Sequence, residues 1–512
     1  MRARSPSSPR ISSGVALAMI DDMLREAAFV AGEWLAVGDD VLMVEDPADG
    51  APLGRVPRLG RAATARAIEA AAVAQRSWAA RSAGERSTML SRWCDAIRAH
   101  REPLAALLTA EQGKPLAEAR AEIDYAAAYV QWFAEEGRRI EGDVLPRDHG
   151  DRRLLVLKQP VGVVAAITPW NFPAAMVTRK LAPAFAAGCA VVLKPAAETP
   201  FTALALAQLA EQAGLPRGLL SVLTGDPAEI GAELTANTLV RKLSFTGSTE
   251  VGRMLIAATA GTVKRLSLEL GGNAPFIVFE DADIDAAVEG AVQSKFRNAG
   301  QTCVCANRLL VHDTVYDAFA ERLTRRAAAM VVAPGRDPGC EIGPLISRKA
   351  AARVGSLVAD ALDRGARLLC GGVDHPLGSP YVMPTVLGAV TADMRVAREE
   401  IFGPIAPLMR FGSDEEALAL ANGTDAGLAS YFYTRDVGRL FRFAEALDFG
   451  MVGANSGLIS TEVAPFGGIK QSGYGREGSR YGIEDYLNLK YLCVGIGAAD
   501  DITGAAASAE AA

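Results

Sequence analysis

The 512-residue chain is expected to fold as an α/β protein around a parallel sheet. Three observations point there. Short runs of branched and apolar residues alternate with helical stretches through the middle of the chain, the rhythm that builds parallel sheets with right-handed crossovers. Half of all residues are hydrophobic and 22% are charged, which excludes a disordered chain. The longest nearly apolar stretch, Leu181 to Leu193, is broken by Pro183 and Gly188 and stops at Lys194, well short of the roughly 20 residues that a bilayer span needs.

Residues 1–22 carry Arg2, Arg4 and Arg10 with several serines and no acid before Asp21. They are expected to be a disordered leader, with Met19 or Met23 as the true start; a weak organellar presequence is the alternative. Arg61 to Ala80, Ala83 to Leu108 and Leu116 to Arg139 then read as amphipathic helices. Val161 to Thr168, Ala190 to Lys194, Leu219 to Thr224 and Arg241 to Phe245 follow as strands. Helices over Val177 to Ala187, Phe201 to Ala213, Ala228 to Ala236 and Glu250 to Thr259 separate them. A nucleotide belongs at the carboxyl ends of such strands. From Gly497 the chain is small and polar without an apolar stripe and is expected to be a mobile tail.

Lys and Arg number 53 against 60 Asp and Glu, a net charge of -7, so neither nucleic acid nor an anionic membrane is expected as partner. Seven cysteines are too sparse for a disulfide framework and imply a reducing compartment, read as cytoplasmic, or the mitochondrial matrix if the leader is a presequence. The four histidines, His100, His149, His312 and His375, show no ligand spacing, so no metal is expected and a general base is expected to be a carboxylate.

No G-x-G-x-x-G follows a strand. The nearest substitute is Phe-Thr-Gly-Ser-Thr-Glu-Val-Gly at 245–252, where Gly247 and Ser248 open a helix whose N–H groups can hold a phosphate, or form only a tight turn. Leu-Glu-Leu-Gly-Gly-Asn at 268–273 sets Glu269 among apolar residues beside a glycine pair. Buried, it has a raised pKa and can act as a base; salt-bridged, it is structural. Cys303 follows a polar, Gly-containing turn with Arg297 nearby, features that suit an accessible thiolate, whereas the other cysteines read as small buried hydrophobes.

These segments resemble the aldehyde dehydrogenase superfamily. Thr-Pro-Trp-Asn-Phe-Pro (168–173), the 245–252 segment, the 268–273 segment, Gly-Gln-Thr-Cys (300–303), Glu-Glu-Ile-Phe-Gly-Pro (399–404) and the glycine-rich stretch 465–478 occur in that superfamily's order, and the likeness runs from about Phe29 to Ile496. Segments 294–308 and 476–492 look most like succinate-semialdehyde dehydrogenases. The resemblance implies a Rossmann-type cofactor domain (23–145 and 162–270), an α/β catalytic domain (271–484) and oligomerisation strands (146–161 and 485–496) that make a homodimer or homotetramer.

It also implies site residues. Cys303 is the nucleophile, Glu269 the base for deacylation and Asn171 the oxyanion donor together with the Cys303 N–H. An unperturbed thiol is only about 3% thiolate at neutral pH, so Arg297 and the nicotinamide cation are the expected sources of help. Cofactor contacts fall on Thr168, Trp170, Asn171, Lys194, Ala197, Gly247, Ser248, Leu270, Glu400 and Phe402. Many NAD-preferring members carry Glu where this chain has Ala197, with Glu198 one step later; a carboxylate there repels a 2′-phosphate, so NADP is favoured over NAD. Arg179, Arg297 and Ser460 match positions that bind the distal carboxylate of a semialdehyde, and glutarate semialdehyde stays open beside succinate semialdehyde. Cys305 is either packed or a redox partner for Cys303. A non-catalytic homologue and a CoA-acylating enzyme are the rivals. The intact Cys303, Glu269 and Asn171 argue against the first, and Glu269 against the second.

Overall fold

The computed structural model describes residue 20 and residues 22–146, 151–372 and 375–496. The expected tail at 497–512 and all of the expected leader except Ile20 and Asp22 lie outside the described residues. Ile20 is 3% exposed and packs with Met23 into the first hydrophobic core, so the leader assignment ends too late.

Two sheets carry the chain. The first has eight strands, in the order Glu33–Ala36, Ala27–Val30, Leu220–Val222, Ala190–Lys194, Val163–Ile167, Val240–Thr246, Arg265–Glu269 and Gly473–Tyr474. The five strands from Leu220–Val222 to Arg265–Glu269 are parallel, as the strand–helix alternation predicts, and the four expected strands are among them. The second sheet has seven strands, parallel except for the edge strand Arg367–Cys370. Each sheet has its own core: the first gathers residues from Ile20 to Leu270 together with Ile483, Tyr486 and Leu487, and the second residues from Ala274 to Phe466.

The helices on the first sheet form where the sequence places them, with one break. Ser82 starts the second helix through a capping box: its hydroxyl accepts from the Glu85 N–H, and Glu85 accepts from the Ser82 N–H at 2.8 Å. The expected single helix 83–108 is two, Ala83–Ala99 and Arg101–Gln112, because His100 leaves the helical region at φ -104°, ψ 23°. Trp78 and Trp93, both fully buried, bolt these helices down by donating to the Phe185 and Leu206 carbonyls at 2.9 and 3.0 Å. Loss of either ring to Ala is a cavity mutation of about 3–5 kcal/mol.

The chain also returns to the first sheet earlier than expected. Gly473 pairs with Glu269 at φ +108°, where a Cβ would lie 1.9 Å from the Leu268 carbonyl oxygen. Only glycine fits both demands, so residues 473–484 belong with the cofactor domain and not with the catalytic one. The expected oligomerisation strands do form a separate sheet: Leu487–Gly495 pairs antiparallel with Arg152–Pro160 along its whole length, with Asp143–Val144 beyond. Leu489 and Tyr491 on it are 68% and 61% exposed.

Candidate active site

Four strands of the first sheet end side by side. Val163–Ile167 runs into Thr168, Trp170 and Asn171, and Ala190–Lys194 ends at Lys194. Val240–Thr246 runs into Gly247 and Ser248, and Arg265–Glu269 ends at Glu269 before Leu270. Parallel register sets these ends side by side, Ile167 against Lys194 and Phe245, Thr246 against Glu269. Thr168 Oγ1, Thr246 Oγ1, Asn171 Oδ1 and Glu269 Oε2 are all buried without a hydrogen-bond partner among the described residues. Each such atom costs about 1–3 kcal/mol, so four of them at adjoining strand ends mark the seat of a polar ligand.

The surrounding residues shape that seat. Gly247 donates its N–H to the Glu269 carbonyl at 3.0 Å, and Ser248 caps the helix Thr249–Thr259 by accepting from Val251. Leu270 lies so close to Gly252 that a Cβ there would come within 2.6 Å of it. Trp170 meets Phe402 edge-on at 5.5 Å, with Phe402 held at φ +53°. Glu400 accepts the Gly272 N–H at 3.0 Å, and burial pushes its carboxyl up to about 7. Lys194 is buried and donates to the Pro195 carbonyl at 3.0 Å; burial lowers its pKa, opposed by Glu198 and Asp226. Ala197, three residues further on, is exposed.

The cysteine arrives from the other core. Arg297–Gly300 is a short turn in which Asn298, Ala299 and Gly300 take positive φ in succession, 51°, 53° and 75°. Gly272 makes room for the backbone of the nucleophile's loop, since a Cβ there would lie 2.3 Å from the Cys303 carbonyl oxygen. The Asn171 Nδ2 donates one hydrogen to the Gln301 carbonyl at 3.0 Å, which brings the expected oxyanion donor onto that loop with a second hydrogen to spare. Cys303 itself is half-buried. Burial pushes its thiol up to about 12, Glu400 and Glu269 add to this, and Arg179 and Arg297 oppose it. The activation expected from Arg297 is therefore outweighed by desolvation.

Glu269 is 2% exposed and its pKa lies well above the ordinary carboxylate range, first from burial and then from repulsion by Glu477; Arg179, Lys180 and Arg476 pull the other way. Glu477 is held below its ordinary value despite burial, because Lys180 at 2.6 Å and Arg179 at 2.5 Å both bind it. This pairing differs from the carboxylate clamp expected of Arg179: its Nε is committed to Glu477, its guanidinium carbon lies 4.0 Å from the centre of the Phe466 ring, and its Nη2 is buried without a partner among the described residues. Arg297 and Ser460 do come together, lining one small cavity with Thr302 and Leu458. The Arg297 guanidinium also sits 5.3 Å over the Phe172 ring. Cys305 is packed, its thiol donating to the Lys295 carbonyl at 3.1 Å.

Sequence reasoning missed Glu477 and Lys180. A signal existed: Arg179 and Lys180 are adjacent cations in a helix, Ala175–Ala187, whose residues are all buried, and paired buried cations demand a carboxylate. It also missed Asn298 and the Lys114–Glu122 pair, whose ammonium donates to the Asn171 carbonyl at 2.8 Å.

Residues 34–492 match the model of the aldehyde dehydrogenase family. The chain is 57% identical over 476 residues to the succinate-semialdehyde dehydrogenase [NADP(+)] GabD of Escherichia coli, covering 93% of this chain and 99% of that one. It is 56% identical to a glutarate-semialdehyde dehydrogenase of Pseudomonas aeruginosa, covering 92% and 98%. The crystal structure of succinate-semialdehyde dehydrogenase from Burkholderia pseudomallei superposes with a TM-score of 0.92 at 59% identity, covering 93% and 99%. With the strand-end residues, the cysteine loop and these likenesses in agreement, the chain belongs to the aldehyde dehydrogenase family.

Proposed function

We propose that the protein oxidises succinate semialdehyde to succinate with a nicotinamide dinucleotide, NADP in preference to NAD, through a covalent thioester on Cys303. The observation that carries this reading is the buried, unpartnered carboxyl oxygen of Glu269 within electrostatic reach of a half-buried thiol. A carboxyl kept from forming ion pairs, with a pKa raised by burial, is suited to take a proton from water.

Thr168, Trp170, Lys194, Gly247, Ser248, Leu270, Glu400 and Phe402 would hold the dinucleotide, and the orphaned hydroxyls of Thr168 and Thr246 fit such a polar ligand. When bound, the nicotinamide supplies a hydride acceptor and a positive charge. The Cys303 thiol gives up its proton to solvent, its sulfur attacks the aldehyde carbon, and the carbonyl oxygen takes up the negative charge. The free hydrogen of Asn171 Nδ2 and the Cys303 N–H hold that oxygen; one donor of this kind is worth about 100- to 1000-fold in rate. As the carbon–hydrogen bond breaks, the oxygen's electrons return to form the thioester. Glu269 takes a proton from water, hydroxide adds to the thioester carbon, and the carbon–sulfur bond breaks to release the acid. Arg297 and Ser460 hold the substrate's distal carboxylate, with Arg179 Nη2 as a further donor.

The relatives named for succinate and glutarate semialdehyde are nearly equal in identity, and one methylene is worth only about 10- to 200-fold in such a pocket. The exposed three-stranded sheet supports a homo-oligomer. The test is kcat/KM for succinate semialdehyde, glutarate semialdehyde and a neutral aldehyde of equal length, each with NADP and NAD. The reading requires the carboxylated aldehydes and NADP to lead, and equal efficiency with the neutral aldehyde contradicts it.

A further inference from the structure

We infer that Asn298 is a positioning residue that locks the oxyanion donor to the nucleophile's loop; this rests on reading Asn171 as that donor and Cys303 as the nucleophile. Asn298 is 1% exposed and every polar group it owns is used. Its Oδ1 accepts from Gln112 Nε2 at 3.0 Å. Its Nδ2 donates to the Asn171 carbonyl at 3.0 Å and to the Gln301 carbonyl at 3.2 Å. Its backbone N–H donates to Glu118 Oε2 at 2.8 Å, and its carbonyl accepts from the Gln301 N–H at 3.0 Å.

The geometry closes a ring. The Gln301 carbonyl that receives Asn298 Nδ2 is the one that receives Asn171 Nδ2, so a single oxygen holds both amides and lies two residues before Cys303. Asn171 is thus held twice by one neighbour, at its carbonyl and, through Gln301, at its side chain. Gln112 and Glu118, from two different helices, fix Asn298 from behind. The left-handed backbone, φ +51°, favours glycine first and asparagine next, so it leaves the choice between the two to the side chain. The side-chain amide is what glycine lacks.

A shift of about 1 Å at a reacting group costs up to about 100-fold, so losing this lock should slow formation of the tetrahedral adduct without weakening substrate binding. The experiment is rapid-mixing measurement of the first reduced-cofactor burst in Asn298→Gly, Asn171→Ala and the double variant, with KM for both substrates. The glycine variant keeps the backbone conformation. Asn298→Asp, which keeps the acceptor for Gln112 but sets an oxygen against the two carbonyls, is the second variant, and cofactor binding by fluorescence checks that each is folded.

The burst rate is expected to fall about 10- to 100-fold in Asn298→Gly and Asn298→Asp with KM little changed. In the Asn171→Ala background the same substitution should add less than about twofold, the mark of residues that act as one unit. A burst at the parent rate in both variants, or a loss that adds in full to that of Asn171→Ala, overturns the inference while the oxyanion reading stands. A parent-like burst in Asn171→Ala alone overturns the oxyanion reading and the lock with it.

Discussion

Replacing Glu269 by Gln keeps the shape of the side chain and removes its ability to accept a proton. In the parent the carboxyl is 2% exposed, with one oxygen unpartnered and its pKa raised by burial and by Glu477. Positioned general bases contribute about 100- to 10,000-fold, or about 2.7–5.4 kcal/mol of barrier at 1.36 kcal/mol per tenfold. The loss should fall on thioester hydrolysis alone. Stopped-flow absorbance is expected to record a burst of one reduced cofactor per subunit at close to the parent rate, followed by turnover slowed by that factor. The same raised pKa predicts a gain in stability. A folded-state pKa above the unfolded one means that the native protein binds more protons, so stability falls as pH rises from the ordinary value of 4.5 towards the raised one. Glu269→Gln removes that penalty, so its melting temperature should exceed the parent's at pH 8 and approach it near pH 5. Turnover near the parent rate refutes the role of base. Loss of the burst together with turnover refutes its restriction to deacylation.

Arg297→Ala removes a charged hydrogen-bond donor worth about 1.5–3 kcal/mol, so kcat/KM for succinate semialdehyde should fall about 10- to 150-fold while a neutral aldehyde loses much less; equal losses remove the carboxylate clamp. Ala197→Glu sets a carboxylate beside Lys194 and should lower the NADP-to-NAD ratio of kcat/KM by at least about tenfold through like-charge repulsion; an unchanged ratio contradicts that placement of the 2′-phosphate. Because the Cys305 thiol is engaged by the Lys295 carbonyl, the parent and Cys305→Ala should recover equally when a thiol reductant follows mild peroxide treatment, and recovery confined to the parent would show a Cys303–Cys305 disulfide.

Local features were legible in the sequence. Branched apolar runs such as Val163–Ile167 and Ala190–Lys194 pair where their patterning places them, and the glycines of 268–273 open the space that Cys303 and Glu400 fill. Features resting on long-range contact were not. The break at His100 interrupts a sequence that is helical on both sides. The return of Gly473 to the first sheet is decided by a carbonyl 205 positions earlier in the chain, that of Leu268. The commitment of Arg179 depends on Glu477, 298 residues away. The polar turn and Arg297 singled out Cys303 and motif order assigned its role, but the burial that raises its pKa depends on the folded surroundings and was not legible.

The most direct test of the covalent route is peptide mass spectrometry of Glu269→Gln quenched in acid during its reduced-cofactor burst with succinate semialdehyde. The account predicts a succinyl thioester on the peptide containing Cys303, in proportion to the reduced cofactor formed. An adduct on any other side chain, or reduced cofactor accumulating with Cys303 unmodified, contradicts it.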